Sequence, residues 1–178
     1  MSQVSKLNMV NAKLGATMPG QQTTRYIYDS VESVAGQGTF NFFQTFANKT
    51  EFQTNLTTNK LDSSESMVIK SIFLSGTLTP LFSGHSNLNI TVGNQVVLKD
   101  FNLAFNAGNR GVSYDRLHSG FNSSSQLEIR LLTDIVIPPQ VNFKATLELA
   151  EGSQVLAAEN VTIGFKGYGT IFSAGSTF

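Results

Sequence analysis

The sequence predicts an all-β protein, a sandwich or barrel of short strands. Three observations predict it. Short stretches carry apolar side chains at every second position. Turn-forming Gly, Asn and Ser separate those stretches. Thr and Phe, which suit a pleated half-buried surface, replace the Ala, Leu, Glu and Lys weight of a helical protein.

The elements follow in chain order. Residues 1 to 22 hold apolar Val4, Leu7, Met9, Val10 and Leu14 without strand alternation, and Gly15, Pro19 and Gly20 break any longer element. This segment reads as an N-terminal arm or tail, and residues 23 to 178 as one sandwich domain. Thr23 to Tyr28 is a short β-prone run. Gly38 to Phe46 places Phe40, Phe42 and Phe46 on one face against Asn41 and Thr45 on the other, and Phe43 interrupts the alternation. After a polar stretch from Ala47 to Asn59, Met67 to Leu74 reads as a strand buried on much of both faces.

The second half is a series of strands and turns. Asn87 to Val92 alternates, Gly93-Asn94 is a tight-turn signal, and Gln95 to Leu98 completes a hairpin. Phe101, Leu103 and Phe105 alternate next. Leu127, Ile129 and Leu131 alternate with Glu128 and Arg130, and Pro138-Pro139 punctuates. Val141 to Leu149 alternates again, and Val161 to Phe165 is a further strand that Thr170 to Phe172 extends. That makes about eight to ten strands at regular spacing, the pattern of a sandwich or barrel.

Composition narrows the function classes. The chain has 178 residues and no cysteine, so disulfides and thiolate metal sites are excluded. Twelve Lys and Arg balance 12 Asp and Glu, so there is no global basic excess of the kind that marks a nucleic-acid binder. Only 13% of residues are charged, against about 25% in ordinary globular domains. Weak self-repulsion suits a protein that lives within an assembly. No apolar run approaches the roughly 18 residues of a membrane span, and Met1 to Val10 lacks the apolar core of a signal peptide. The expected place of synthesis is therefore a cytoplasm.

No catalytic constellation stands out, and the expectation is a non-enzymatic protein without cofactor or metal. His85 and His118 lie in loop-like sequence, with no second ligand at metal spacing. There is no Gly-x-Ser-x-Gly elbow and no phosphate-binding glycine loop. Asp62, Glu65, Asp100, Asp115, Glu128, Asp134, Glu148 and Glu151 are scattered, and no spacing selects a carboxylate pair. A sugar site would need aromatic platforms beside loop carboxamides or carboxylates. Tyr114 with Asp115, and Tyr168 between Gly167 and Gly169, are the candidates.

Three stretches, taken in order, resemble a known family. Thr54-Asn55-Leu56 leads through a polar loop into Met67 to Leu74. Ile135 to Leu149 places Ile-Pro-Pro ahead of a strand holding Phe143. Val161 to Gly167 ends a late strand in Lys-Gly. Across residues 38 to 170 they resemble single jelly-roll capsid proteins of tailless icosahedral bacteriophages. The resemblance implies an eight-stranded antiparallel jelly-roll β-sandwich with an N-terminal arm along the shell interior. It implies a penton-type, minor or major shell protein, made in the host cytoplasm and located in the virion. Its partners would be copies of itself and other capsid proteins, with the genome or an inner membrane inside, and no small-molecule substrate. The alternative is a carbohydrate- or receptor-binding β-sandwich such as a phage spike head.

Self-association has its own physical signal. Phe101, Phe105, Phe121, Phe172 and Phe178 fall where some should reach the surface, and apolar patches mark interaction sites. The expected assembly residues are Val4, Leu7, Met9, Leu14, Phe101, Phe105, Phe172 and Phe178.

Overall fold

The structure is a computed structural model. It describes residues 20–76, 86–103, 125–150 and 160–172. Among the described residues, eight strands form in order: β1 (Gly20–Glu32), β2 (Thr39–Phe42), β3 (Glu65–Gly76), β4 (Ser86–Val92), β5 (Gln95–Asn102), β6 (Ser125–Ile137), β7 (Phe143–Leu149) and β8 (Asn160–Phe172). They make two four-stranded sheets, ordered β1-β8-β3-β6 and β2-β7-β4-β5. All pairings between these strands are antiparallel.

The order has a simple logic. β1 pairs with β8, β2 with β7, β3 with β6 and β4 with β5. The chain is thus one long hairpin, with its tip at the β4–β5 turn, rolled until β3 also meets β8 and β4 meets β7. That is the jelly roll. The tip is the two-residue Gly93-Asn94 turn read from the sequence, with Gly93 at φ 61°.

Alternation builds the core. β7 is buried at Phe143, Ala145, Leu147 and Leu149 and open at Lys144 and Glu148 between them. Phe40 and Phe42 of β2 and Leu88 and Ile90 of β4 complete that inner face. Facing it are Ile27 of β1, Val161, Ile163 and Phe165 of β8, Met67, Ile69, Ile72 and Leu74 of β3, and Ile129, Ile135 and Ile137 of β6. β3 is buried on both faces, as expected, because Val68 is covered on the outer side as well.

Phe43 explains its own break in the pattern. It takes φ 60°, which ends β2 and turns the ring inward. The ring packs at 5.1 Å from Phe165 and 5.2 Å from Phe143, so three aromatics meet in the core. Such a backbone is strained for a bulky residue. The Phe43 amide donates at 2.7 Å to the carboxylate of Asp29, which is wholly buried. Lys49 donates to the other oxygen of that carboxylate at 2.6 Å. The polar stretch after β2 is therefore a strap across the end of β1.

The strap also guards an edge. β1 ends its sheet, so one row of its main-chain groups lacks a strand partner. Asn55 accepts from the Tyr28 amide at 3.0 Å and donates to the Tyr26 carbonyl at 2.7 Å, copying a neighbouring strand with one side chain. The Ser30 amide donates to the Gln53 carbonyl at 2.7 Å. We expect Asn55→Ala to cost about 1–2 kcal/mol, the net worth of two such bonds. The urea midpoint of unfolding reads this.

The structure begins β1 at Gly20, three residues inside the segment assigned to the arm. β8 is one continuous strand from Asn160 to Phe172, where the sequence suggested a strand and an extension. Its three glycines each make room for a crossing group. Arg25 of β1 reaches over Gly169, where a Cβ would sit 3.0 Å from Arg25 Cδ, and forms two bonds of 2.8 and 2.7 Å to Glu65 on β3. The Phe73 ring lies on Gly164, and Gly167 lies against the Val68 carbonyl.

Candidate functional site

Two features of β6 create the surfaces that stand out. First, among the described residues, β6 is an edge strand and β5 is the edge of the other sheet. Second, β6 is bulged. Ile69 pairs with Ile135 and Ser71 with Arg130, so Lys70 alone stands opposite Leu131 to Asp134. The bulge is tied down by Lys70, whose ammonium donates to both oxygens of Asp134 at 2.9 and 2.8 Å. A bulge bends an edge strand and re-aims its side chains. Here it pushes Leu132 into solvent, 91% exposed.

On the β5 side of the bulge lies a groove of about 460 Å³. Leu98 and Phe101 of β5 and Leu131 and Ile135 of β6 line it, with Val97 and Leu132 at its rim. Val96 and Val97 are 55% and 41% exposed. Arg130 and Asp134 of β6 also line the groove, and Lys99 and Asp100 lie exposed further along β5, but the exposed apolar residues here still form a patch of the kind that marks association.

On the other side of the bulge lies a shallow dish of about 640 Å³, on the outer face of the β1-β8-β3-β6 sheet. Because Val161, Ile163 and Phe165 point inward, Lys166 and Tyr168 of β8 point outward. β3 adds Lys70 and Ser71, and β6 adds Glu128, Arg130 and Asp134. Ser71 Oγ donates to Glu128 Oε1 at 2.9 Å, and Lys166 Nζ approaches the same oxygen at 3.4 Å. The Lys166 ammonium also lies 5.7 Å from the centre of the Tyr26 ring.

The expected site residues divide as follows. Val4, Leu7, Met9, Leu14, Phe105, Tyr114, Asp115, Phe121 and Phe178 lie outside the described residues, as do His85 and His118. Phe172 ends β8. Phe101 is not a protruding surface aromatic. It is partly buried against the core, and its remaining surface forms part of the groove. Tyr168 is not on a loop. It sits mid-strand in β8, between Thr24 of β1 and Val68 of β3, because Gly167 and Gly169 serve close strand packing rather than a turn. Glu128 and Asp134, scattered in sequence, both reach the dish. The exposed Leu132 was missed, since a bulge is a register event that alternation within one strand does not report. Among the described residues, no group of three His, Cys, Asp or Glu could hold a metal ion.

No family model matches the chain, and no curated protein matches it. Solved structures do. The chain is similar to the extra small virus VLP of the giant freshwater prawn Macrobrachium rosenbergii, at 9% identity and TM-score 0.33, over 86% of this chain and 80% of that one. It is similar to Desmodium yellow mottle tymovirus at 10% identity and TM-score 0.30, over 89% of this chain and 93% of that one. It is also similar to dimeric latent PorU from Porphyromonas gingivalis, at 8% identity and TM-score 0.29. That match takes 83% of this chain but spans only 13% of that one.

Proposed function

We propose that the chain is a structural subunit of a virion shell, a single jelly-roll capsid protein of a tailless icosahedral bacteriophage. It packs against copies of itself and other capsid proteins, and it performs no catalysis. The observation that carries this reading is the apolar rim where the two sheets end. Leu132, Val96 and Val97 stand exposed there beside an open groove. Edge strands of a monomer are normally blunted with charge or proline. The end of β1 is covered by the strap, whereas the bulge on β6 lifts a leucine outward. Closed symmetric association would bury such a rim. The low content of charged residues points the same way. The N-terminal arm, residues 1 to 22, is the second contact in this reading, with Val4, Leu7, Met9 and Leu14 as its anchors.

Light scattering coupled to gel filtration, followed by electron microscopy, tests it. The full chain is expected to form rings or closed shells. Leu132→Asp combined with Val97→Asp is expected to yield monomers with an unchanged circular dichroism spectrum. A wild-type chain that stays monomeric at all workable concentrations overturns the proposal. Assembly that survives removal of residues 1 to 22 removes the arm from it.

A further inference from the structure

We infer that the dish on the outer face of the β1-β8-β3-β6 sheet is a binding site for a neutral oligosaccharide, stacked on Tyr168 and hydrogen-bonded by Glu128, Lys166 and Ser71.

The dish is built by the bulge. Its volume of about 640 Å³ falls within the roughly 300–1,000 Å³ of small-ligand sites. Leu131 to Asp134 raise one wall, and the half-buried Tyr168 lies within the same concavity. The two floor strands, β3 and β8, are each paired on both sides. Their main-chain groups are used within the sheet, so the floor offers side chains rather than a strand edge to a ligand.

The polar groups select the ligand further. Of the three cations that line the dish, Lys70 is opposed by Asp134 at 2.8 Å and Lys166 by Glu128 at 3.4 Å, and Arg130 is also engaged. A phosphate or an acidic ligand would be drawn to the lysines and repelled by the carboxylates in the same space. A sugar hydroxyl is donor and acceptor at once. It can donate to the Glu128 carboxylate or to Ser71 Oγ while accepting from Lys166, so neighbouring hydroxyls can use both kinds of group. The tyrosine ring offers an apolar face with a polar tip, which suits a pyranose whose C–H face is apolar and whose rim is polar.

The dish shares Arg130, Leu131, Leu132 and Asp134 with the groove, but Tyr168, Glu128, Lys166 and Ser71 line the dish alone, so their variants test this inference separately from the shell reading. Saturation-transfer difference NMR on the full chain tests it, with maltotriose, lactose and tri-N-acetylchitotriose as probes at millimolar concentration and inorganic phosphate as competitor. At least one of the three sugars is expected to show saturation transfer that phosphate leaves unchanged. Tyr168→Phe is expected to keep the signal, and Tyr168→Ala and Glu128→Gln to weaken binding at least about tenfold, with amide spectra that show each variant folded. Silence from all three sugars overturns the inference. So does a signal that survives Tyr168→Ala and Glu128→Gln, or one that phosphate displaces, which would assign the dish to an anion.

Discussion

Gly167→Ala is expected to lower the unfolding free energy by about 3 kcal/mol or more, the upper range for overpacking a core. A Cβ built at Gly167 would lie 1.9 Å from the Val68 carbonyl oxygen, 2.9 Å from its carbon and 3.1 Å from the Ile69 Cα. All three are main-chain atoms, so no rotamer change relieves the clash. β8 would have to draw away from β3, and these are the two inner strands of their sheet. The close approach occurs just before the register shift between Ile69 and Ser71, where the β3 backbone is already displaced. Gly38→Ala is the control. Nothing lies within 4 Å of its Cβ position, so the change should stay within about 0.5 kcal/mol. Equal urea midpoints for the two variants would show that β8 is not held against β3 in this way.

Asp29→Ala is expected to cost about 3–5 kcal/mol, the usual loss when one partner of a buried ion pair is removed. The carboxylate is fully buried. It accepts from the Phe43 amide and from Lys49, whose side chain is 14% exposed. Its removal strands a nearly buried ammonium and an unpaired amide at a residue already held at φ 60°. Asp29→Asn can still accept from the Phe43 amide but opposes no charge on Lys49, and should fall between wild type and Asp29→Ala. The double variant Asp29→Ala with Lys49→Met is expected to cost less than the sum of the single changes, because no lone charge remains. Additive losses would mean that the two groups do not act as a pair.

Asp29 was legible in the sequence and still missed. It follows Arg25 and Ile27 at every second position, and so falls on the inward face of its strand. Alternation reports which face a residue takes, but not whether a lysine 20 residues later will return to meet it. The same limit applies to the strap. Its polar composition reads as a loop, and only the fold shows Asn55 bonded to the edge of β1.

The dish and the rim show the limit from the other side. Glu128 is 57 residues from Ser71 and 38 from Lys166, and no local spacing links them. Tyr168 drew notice as an aromatic between glycines. Only the fold shows why the glycines are there: Gly167 admits the Val68 backbone and Gly169 the Arg25 side chain.

By itself, the sequence determined the all-β class, the strand positions, the β4–β5 turn, the aromatic core and the absence of cysteine chemistry. The strands and the turn are set by interactions within about ten residues, through side-chain alternation and turn preference. Tertiary structure alone decided the sheet order, the bulge opposite Lys70, the burial of Asp29 and the gathering of Glu128, Ser71, Lys166 and Tyr168 on one outer face. Those depend on which strands become neighbours when the long hairpin rolls up, and a period of two along one strand carries no information about its partner or its register.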